Sequence, residues 1–326
     1  MPNLVSIIIP AYNAERFILQ TVNSALNQTY QNIEIVIVND GSTDATLSLL
    51  ESLKNDKIKI INQANRGASF AKQVGLDNAN GDFIQYLDAD DLLSENKIEI
   101  QIEALLDHPN KIAVCSTVHF NDTDDFSLNK PSPYEERFLF STDQPDHFLI
   151  NLYGGYDGNG SMIQPNAFLT PISIIKKIGI WNSEISPCAD EDGEYFCRAI
   201  LASEGVVYTP HALNYYRKFI KKGSLSALKD FNSLSRLYKS VLLKKNHLLS
   251  INNSKEAKFA TAKQLISLAI EIYPQHLNLV KEINNEVKKL GNFKYTPISG
   301  GPMAQRLSKI IGWRAARFIQ FKLKKK

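Results

Sequence analysis

The chain has 326 residues, enough for one large core and a smaller second region. Hydrophobic residues make up 44% and charged residues 22%, the balance of an ordinary globular protein. The formal net charge of +3 hides an asymmetry: residues 306–326 hold eight Lys/Arg and no acid, leaving 29 basic against 34 acidic residues and a net of −5 on the rest. That distribution argues against a nucleic-acid binder, whose basic patch lies on the folded body.

The first half alternates strand and helix. Val5–Ile9 is β-branched apart from Ser6, as in a strand buried on both faces. Ala14–Leu26 carries an apolar helical stripe at Phe17, Ile18, Val22, Ala25 and Leu26. Ile33–Val38 is a second buried strand, and Ser42-Thr43-Asp44 opens a helix with capping residues. Lys57–Ile61 (strand), Gly67–Ala79 (helix), Asp82–Leu87 (strand) and Ser94–Leu106 (helix) continue the alternation. This order predicts a parallel sheet with helices on both faces.

Beyond Lys111 the pattern loosens. Ile112–Phe120 is a strand, Asn121–Pro145 a long polar loop with Asp122, Asp124 and Asp125, and Gly154–Gly160 a glycine-rich turn region. Ile172–Ile178 and Glu191–Ala202 are helices, with a short strand at Val206–Tyr208. After about Gly223 the spacing is helical: Leu228–Leu249, Lys255–Ile272, Gln275–Leu290, and a last amphipathic segment from Met303 to Leu323.

No run of 18 apolar residues occurs, so no membrane span is expected. Met1–Pro10 lacks the charged leader of a signal peptide. Cys115, Cys188 and Cys197 are odd in number and lack metal-ligand spacing. They read as reduced thiols of a cytoplasmic protein, with a Cys188–Cys197 pair open only in an oxidising compartment.

Ligands of an open parallel sheet bind at the carboxyl ends of its strands, and two acidic clusters fall there. The second strand runs into Asn39-Asp40-Gly41-Ser42-Thr43-Asp44, which suits contact with a nucleobase edge or ribose and is equally a tight turn with a helix-start charge. The fourth ends in Asp88-Ala89-Asp90-Asp91, whose crowded carboxylates call for a cation or protons. A Mg²⁺ or Mn²⁺ ion held by one or two carboxylates and a diphosphate answers that; a solvated loop with Asp91 on a helix dipole is the plain alternative.

A third cluster, Asp190-Glu-Asp-Gly-Glu194, opens a later helix. Glu191, Glu194 and Arg198 share a polar face there, while Asp192 leads the core-facing stripe of Tyr195, Phe196, Ala199 and Ile200. That placement suits a general base facing a cleft, or a capping acid. A Gly-x-Gly-x-x-Gly after the first strand, a Walker loop and a Gly-x-Ser-x-Gly elbow are all missing.

Several stretches, in order and with matching spacing over about residues 4–218, resemble the inverting family 2 glycosyltransferases with the GT-A fold. They are Val5–Asn13, Ser24–Tyr30, Val36–Asp44, Asn65-Arg66-Gly67, Gly81–Asp91, Glu191-Asp192 with Arg198, and Tyr215-Tyr-Arg217. The resemblance implies an α/β domain over residues 1–222, a mostly parallel sheet flanked by helices, followed by a helical region over 223–326. It implies transfer of a sugar from a nucleotide-diphosphate donor, UDP-linked, to a hydroxyl acceptor in cell-surface polysaccharide or glycolipid synthesis. Pro10, Tyr12 and Asp40 would border base and ribose, Arg66 and Lys72 would lie on the donor side, and Asp88 would face ribose or sugar. Asp90 would bind Mn²⁺ or Mg²⁺, and Asp192 would deprotonate the acceptor.

Three positions depart from the family pattern. Asn39 stands where an acid is common, Ala71-Lys72-Gln73 replaces a frequent Ala-Arg-Asn, and Phe219 replaces a histidine. Lys72 keeps the charge of the arginine without its bidentate fork. A nucleotidyltransferase is disfavoured because Pro10–Glu15 lacks a glycine/arginine-rich loop. A catalytically inactive glycan or nucleotide-sugar binder with the same fold remains the alternative. The tail has Leu307, Ile310, Ile311, Trp313, Phe318, Phe321 and Leu323 among its cations. It suits either an anionic membrane surface, contacted through 303–326 at the inner face of the cell membrane, or a helix packed on the body with a solvated basic end.

Overall fold

A computed structural model describes residues 3–122, 125–218, 230–293 and 302–324. Asp124, Phe219, Leu228, the 222/223 boundary and the last two lysines lie outside these.

The β-branched runs form β1 (Val5–Ala11), β2 (Ile33–Asp40) and β3 (Ile58–Gln63), joined by α1 (Ile18–Leu26) and α2 (Thr46–Glu51). Next come α3 (Ala68–Asp77), β4 (Phe83–Tyr86), β5 (Leu92–Leu93), α4 (Lys97–Leu106) and β6 (Ile112–Phe120). The polar stretch after β6 is not all loop, for it holds a 3₁₀ turn at Phe126–Leu128 and α5 (Pro133–Glu136). The chain continues through α6 (Pro145–Leu152), β7 (Phe168–Pro171), α7 (Ile172–Ile178), α8 (Glu191–Ala202) and β8 (Val206–Arg217). Five helices close it: α9 (Phe231–Ile251), α10 (Lys255–Ile272), α11 (Leu277–Leu290), α12 (Pro302–Ile311) and α13 (Trp313–Lys324).

Among the described residues the sheet has eight strands in the order β3-β2-β1-β4-β7-β6-β8-β5. Val5 of β1 pairs in parallel with Ile33 and with Phe83, and Ile35 of β2 with Ile58. The second half is mixed. β7 runs antiparallel between β4 and β6, β6 and β8 are parallel, and β5 is an antiparallel edge. The sheet is therefore less uniformly parallel than the alternation predicts.

β8 is far longer than Val206–Tyr208. Its pairing with β6 slips between Cys115 and Ser116, where the partner jumps from Thr209 to Leu213. Pro210 has no N–H to give the ladder, so the strand bulges and resumes. Because β6 and β8 run parallel to β4, their carboxyl ends and the start of β7 share one edge with Asp88–Asp91. All later chemistry lies along that edge.

The two sheet faces carry separate cores. One gathers Ile7, Ile9, Val22, Ile35, Ile37 and Leu105; the other gathers Ile8, Tyr86, Phe148, Trp181, Tyr195 and Phe196. The second core also takes in Leu248, Ala257 and Ala260, so α9 and α10 pack directly on the sheet-bearing region. A third core joins α9, α10 and α11 through Leu234, Val241, Leu265, Leu268 and Ile283. At Gly75 a Cβ would meet Ile8 Cγ2 at 2.3 Å, so α3 lies on the sheet as closely as it does only with glycine there.

Two helix readings change. The helix predicted from Ala14 begins at Ile18, because Asn13–Glu15 are bonded into a neighbouring loop. The tail segment is two helices, broken at Gly312 with φ +79°. The three cysteines are buried and free.

Candidate active site

The β1–α1 and β2–α2 connections are zipped together. Asn13 Oδ1 accepts from Thr43 N (2.8 Å), Asn13 N donates to Ser42 Oγ (3.0 Å), and Glu15 Oε2 accepts from Ala45 N (2.8 Å). Asp44 does not cap α2 from an N-cap position; its Oδ1 accepts from Thr46 N (3.0 Å) and its Oδ2 from Glu15 N (3.1 Å). The zipper leaves the Tyr12 ring exposed on the rim, next to half-buried Pro10.

Asp40 is buried at the end of β2. Its Oδ1 accepts from Gln63 Nε2 (2.7 Å) and Arg66 N (2.9 Å), and its Oδ2 from Gly67 N (2.8 Å). A carboxylate offers about four lone-pair sites, so three are taken by the β3–α3 loop. Gly41, at φ +69°, lets that loop close, since a Cβ there would sit 2.5 Å from Asn65 N. Arg66 is exposed and lays its guanidinium 3.2 Å above the Phe70 ring centroid. Asn39 Nδ2 donates to Asn62 Oδ1 (2.7 Å), spanning β2 and β3 where an acid was expected.

The acidic turn after β4 is held from the far end of β8. Arg217 is buried, and each of its nitrogens has a partner: its N donates to Asp91 Oδ1 (2.8 Å), Nε to the Asp90 carbonyl (2.7 Å), Nη1 to Asp122 Oδ1 (3.0 Å) and Nη2 to Gln20 Oε1 (2.7 Å). Its guanidinium also lies 4.5 Å from both the Phe17 and Phe120 ring centroids. Asn166, at the entry to β7, donates to Asp91 Oδ2 (3.1 Å). Asp91 is thus a structural anchor, while of Asp90 Arg217 engages the carbonyl and not the carboxylate. Burial first, then the Asp88 charge, push the Asp90 pKa up to about 6, with Arg217 opposing.

Lys72 forms the centre of the site. Only 2% of its side chain is exposed, and its ammonium contacts Asp192 and lies 3.7 Å from Asp88 Oδ1. The ring of Trp181 is 4.9 Å from Nζ. That indole stacks on Tyr195 at 3.8 Å and donates to Tyr86 Oη (2.9 Å), fixing an apolar wall behind the lysine. Burial alone would lower the Lys72 pKa, but the carboxylates of Asp192, Asp88 and Glu191 raise it, so it stays charged. Lys72, expected on the donor side, is therefore aimed at two carboxylates.

Asp192 sits in the first turn of α8 with 31% of its side chain exposed. Burial lifts its pKa to about 6; Lys72 opposes the rise, and Asp88 and Glu191 add to it. α8 itself is held from behind by the C-terminal region. Asp190 Oδ2 lies 2.6 Å from Lys244 Nζ and 2.8 Å from Ser240 Oγ, both on α9.

Glu191 and Glu194, which share a polar face with Arg198, are both buried rather than open to solvent. Glu194 takes Arg198 in a fork (2.9 and 3.0 Å) and His247 of α9 (3.2 Å). α9 covers the face that a lone helix would show to water.

The structure thus sets Lys72 against Asp88 and Asp192, with Asp90 beside Asp88, and places Pro10 and Asp40 at the ends of β1 and β2 and Tyr12 and Arg66 on the loops that follow β1 and β3. Sequence reasoning missed Trp181, Asn166 and the many-donor role of Arg217. No local signal marks the first two, whose partners are 95 and 75 residues away. Among the described residues no group of three or more His, Cys, Asp or Glu is arranged to hold a metal ion. The donor set present fits one or two carboxylates with a diphosphate completing the shell, the way Mg²⁺ is usually held.

Residues 6–163 match the family model described as "Glycosyl transferase family 2". Among curated relatives, glycosyltransferase GlyA of Streptococcus pneumoniae is 28% identical over 280 residues, covering 82% of this chain and 38% of that protein. An uncharacterized glycosyltransferase of Haemophilus influenzae is 41% identical over 106 residues (32% of this chain, 42% of that protein), and one of Rickettsia typhi 36% over 191 residues (58% and 57%). The chain therefore spans less than two-thirds of the length of these relatives. Among solved structures, S. aureus TarS 1–349 in complex with UDP-GlcNAc aligns with a TM-score of 0.69 at 16% identity, over 98% of this chain and 91% of that one. Its complex with UDP aligns at 0.67 and 18% identity over the same shares. The fold is GT-A-like, a mixed sheet flanked by helices with a helical C-terminal region.

Proposed function

We propose that the protein is an inverting family 2 glycosyltransferase that moves a sugar from a UDP-linked donor to a hydroxyl of a glycan or glycolipid in cell-surface polysaccharide synthesis. The observation that carries this reading is the meeting of Asp88 and Asp192 on one buried lysine, with Asp90 beside Asp88, at the ligand-binding edge of the sheet. The family match over residues 6–163 and the named glycosyltransferase relatives support the class. The UDP and UDP-GlcNAc complexes of a protein with this fold support the donor class.

The residues divide the work as follows. Pro10 and Tyr12 border the nucleoside, and Asp40 shapes the loop that carries Arg66 beside it. Asp88 faces the ribose or sugar. Asp90, with Asp88 beside it, would hold the Mn²⁺ or Mg²⁺ ion, which when bound offsets charge developing on the departing diphosphate. Asp192 accepts the acceptor hydroxyl's proton as its oxygen attacks the anomeric carbon opposite the leaving nucleotide. Lys72 keeps Asp192 oriented and ionised at neutral pH. One displacement with one base inverts the anomeric centre.

The test is a panel of UDP-sugars with Mn²⁺ or Mg²⁺, read as UDP release with and without chelator. We expect turnover of one sugar, abolished by chelator, and an Asp90→Asn variant that needs more metal for half-maximal rate. Saturable UDP-sugar binding with no turnover in any mixture of acceptors would instead favour an inactive binder. Turnover that ignores chelator would remove the metal from the scheme.

A further inference from the structure

The last two helices carry several of their large apolar residues on the outside. α13 docks on the end of α10: Ala316 is only 3% exposed, and the Trp313 ring meets Tyr273 edge-on at 5.5 Å. Arg317 donates from Nε to the Ile270 carbonyl (3.2 Å) and from Nη2 to the Glu271 carbonyl (3.0 Å), occupying the carbonyl end of α10. Residues 313, 316, 317 and 320 form one helical face, and that face is inward.

The rest of the α13 surface carries Arg314, Phe318, Ile319, Lys322 and Leu323, all exposed, with Leu323 at 68%. α12 adds Arg306, Lys309, Ile310 and Ile311, with Ile310 at 80%. A solvated helix packed on a body shows the reverse arrangement, apolar in and polar out. Here large aliphatic and aromatic side chains alternate with cations on the outer face, and residues 306–326 contain no acid.

The charge decides the occupant. A second copy meeting this face across a two-fold axis would set cations against cations with no acid to offset them. The phosphates of an anionic bilayer complement the cations, and its headgroup–acyl boundary accepts the apolar side chains. We propose that α12 and α13 dock the protein on an anionic bilayer through Ile310, Ile311, Phe318, Ile319 and Leu323, framed by Arg306, Lys309, Arg314 and Lys322. This rests on the packing of the tail and on no step of sugar transfer.

The experiment is flotation of the full chain with vesicles of phosphatidylcholine alone and of phosphatidylcholine mixed with phosphatidylglycerol. The full chain floats with the mixed vesicles and stays down with the neutral ones. Phe318→Ser/Ile319→Ser/Leu323→Ser and Arg314→Glu/Lys322→Glu are exposed changes that leave the circular dichroism melt in place. Each abolishes flotation, the charge reversal by at least about fivefold per cation. Equal behaviour with both vesicle types, flotation by both variants at the level of the unaltered chain, or no flotation at all would each overturn the proposal. So would a dimer on light scattering that the triple serine variant dissolves without vesicles present, because the face would then belong to a second copy.

Discussion

Asp40 closes β2 and Asp192 sits in the first turn of α8, and their surroundings differ. Asp40 takes three hydrogen bonds from Gln63, Arg66 and Gly67, all within one short stretch of chain. Asp192 has one cation, shared with Asp88, and two like charges close by. An acid whose lone pairs are filled by loop amides fixes geometry. An acid crowded by its own kind, and held by a single lysine, is ready to take a proton. The contrast separates scaffolding from chemistry without reference to any ligand.

The largest effect that would break this contrast is at Asp192. Asp192→Asn should slow transfer by about 10²–10⁴-fold, the range of a lost general base, while UDP-sugar binding by calorimetry is kept. Its unfolding free energy should move by no more than ~1 kcal/mol, since a crowded charge is removed. A variant that transfers sugar at the ordinary rate would place the base elsewhere. Asp40→Ala should do the opposite. It strands three donors and should lower stability by about 3 kcal/mol in urea unfolding, with donor affinity falling as the Arg66 loop loosens. Unchanged stability would show that the loop holds itself and that Asp40 is free for the nucleobase.

The first two strands were legible because each is a β-branched run buried on both faces, with a helix between. β5 and β7 have two and four residues, too few for a periodic signal, and Pro210 splits β8 in appearance. The acidic clusters could be read because carboxylates at strand ends are local features. Their division of labour could not. Lys72 meets Asp192 from 120 residues away, and Asp91 is occupied by Arg217 from 126 residues away. The tail's amphipathic pattern was visible, but which side packs is decided by the carbonyl end of α10, which no periodicity records.

The smallest expected effect tests how the contrast is maintained. With Asp192 as the proposed base, kcat/KM should fall as pH drops through about 6 and be level above it. The Lys72 charge opposes the upward push on Asp192. Removing that charge in Lys72→Met should raise the Asp192 pKa further and move the acid limb up by about one pH unit, toward neutrality. Lys72→Arg keeps the charge and should keep the limb near its original place, even if the larger head costs some rate. A loss of stability alone lowers the whole profile without moving its limb, so the position of the limb, read over a range where both variants stay folded, distinguishes a lysine that tunes the base from one that only fills the space in front of Trp181.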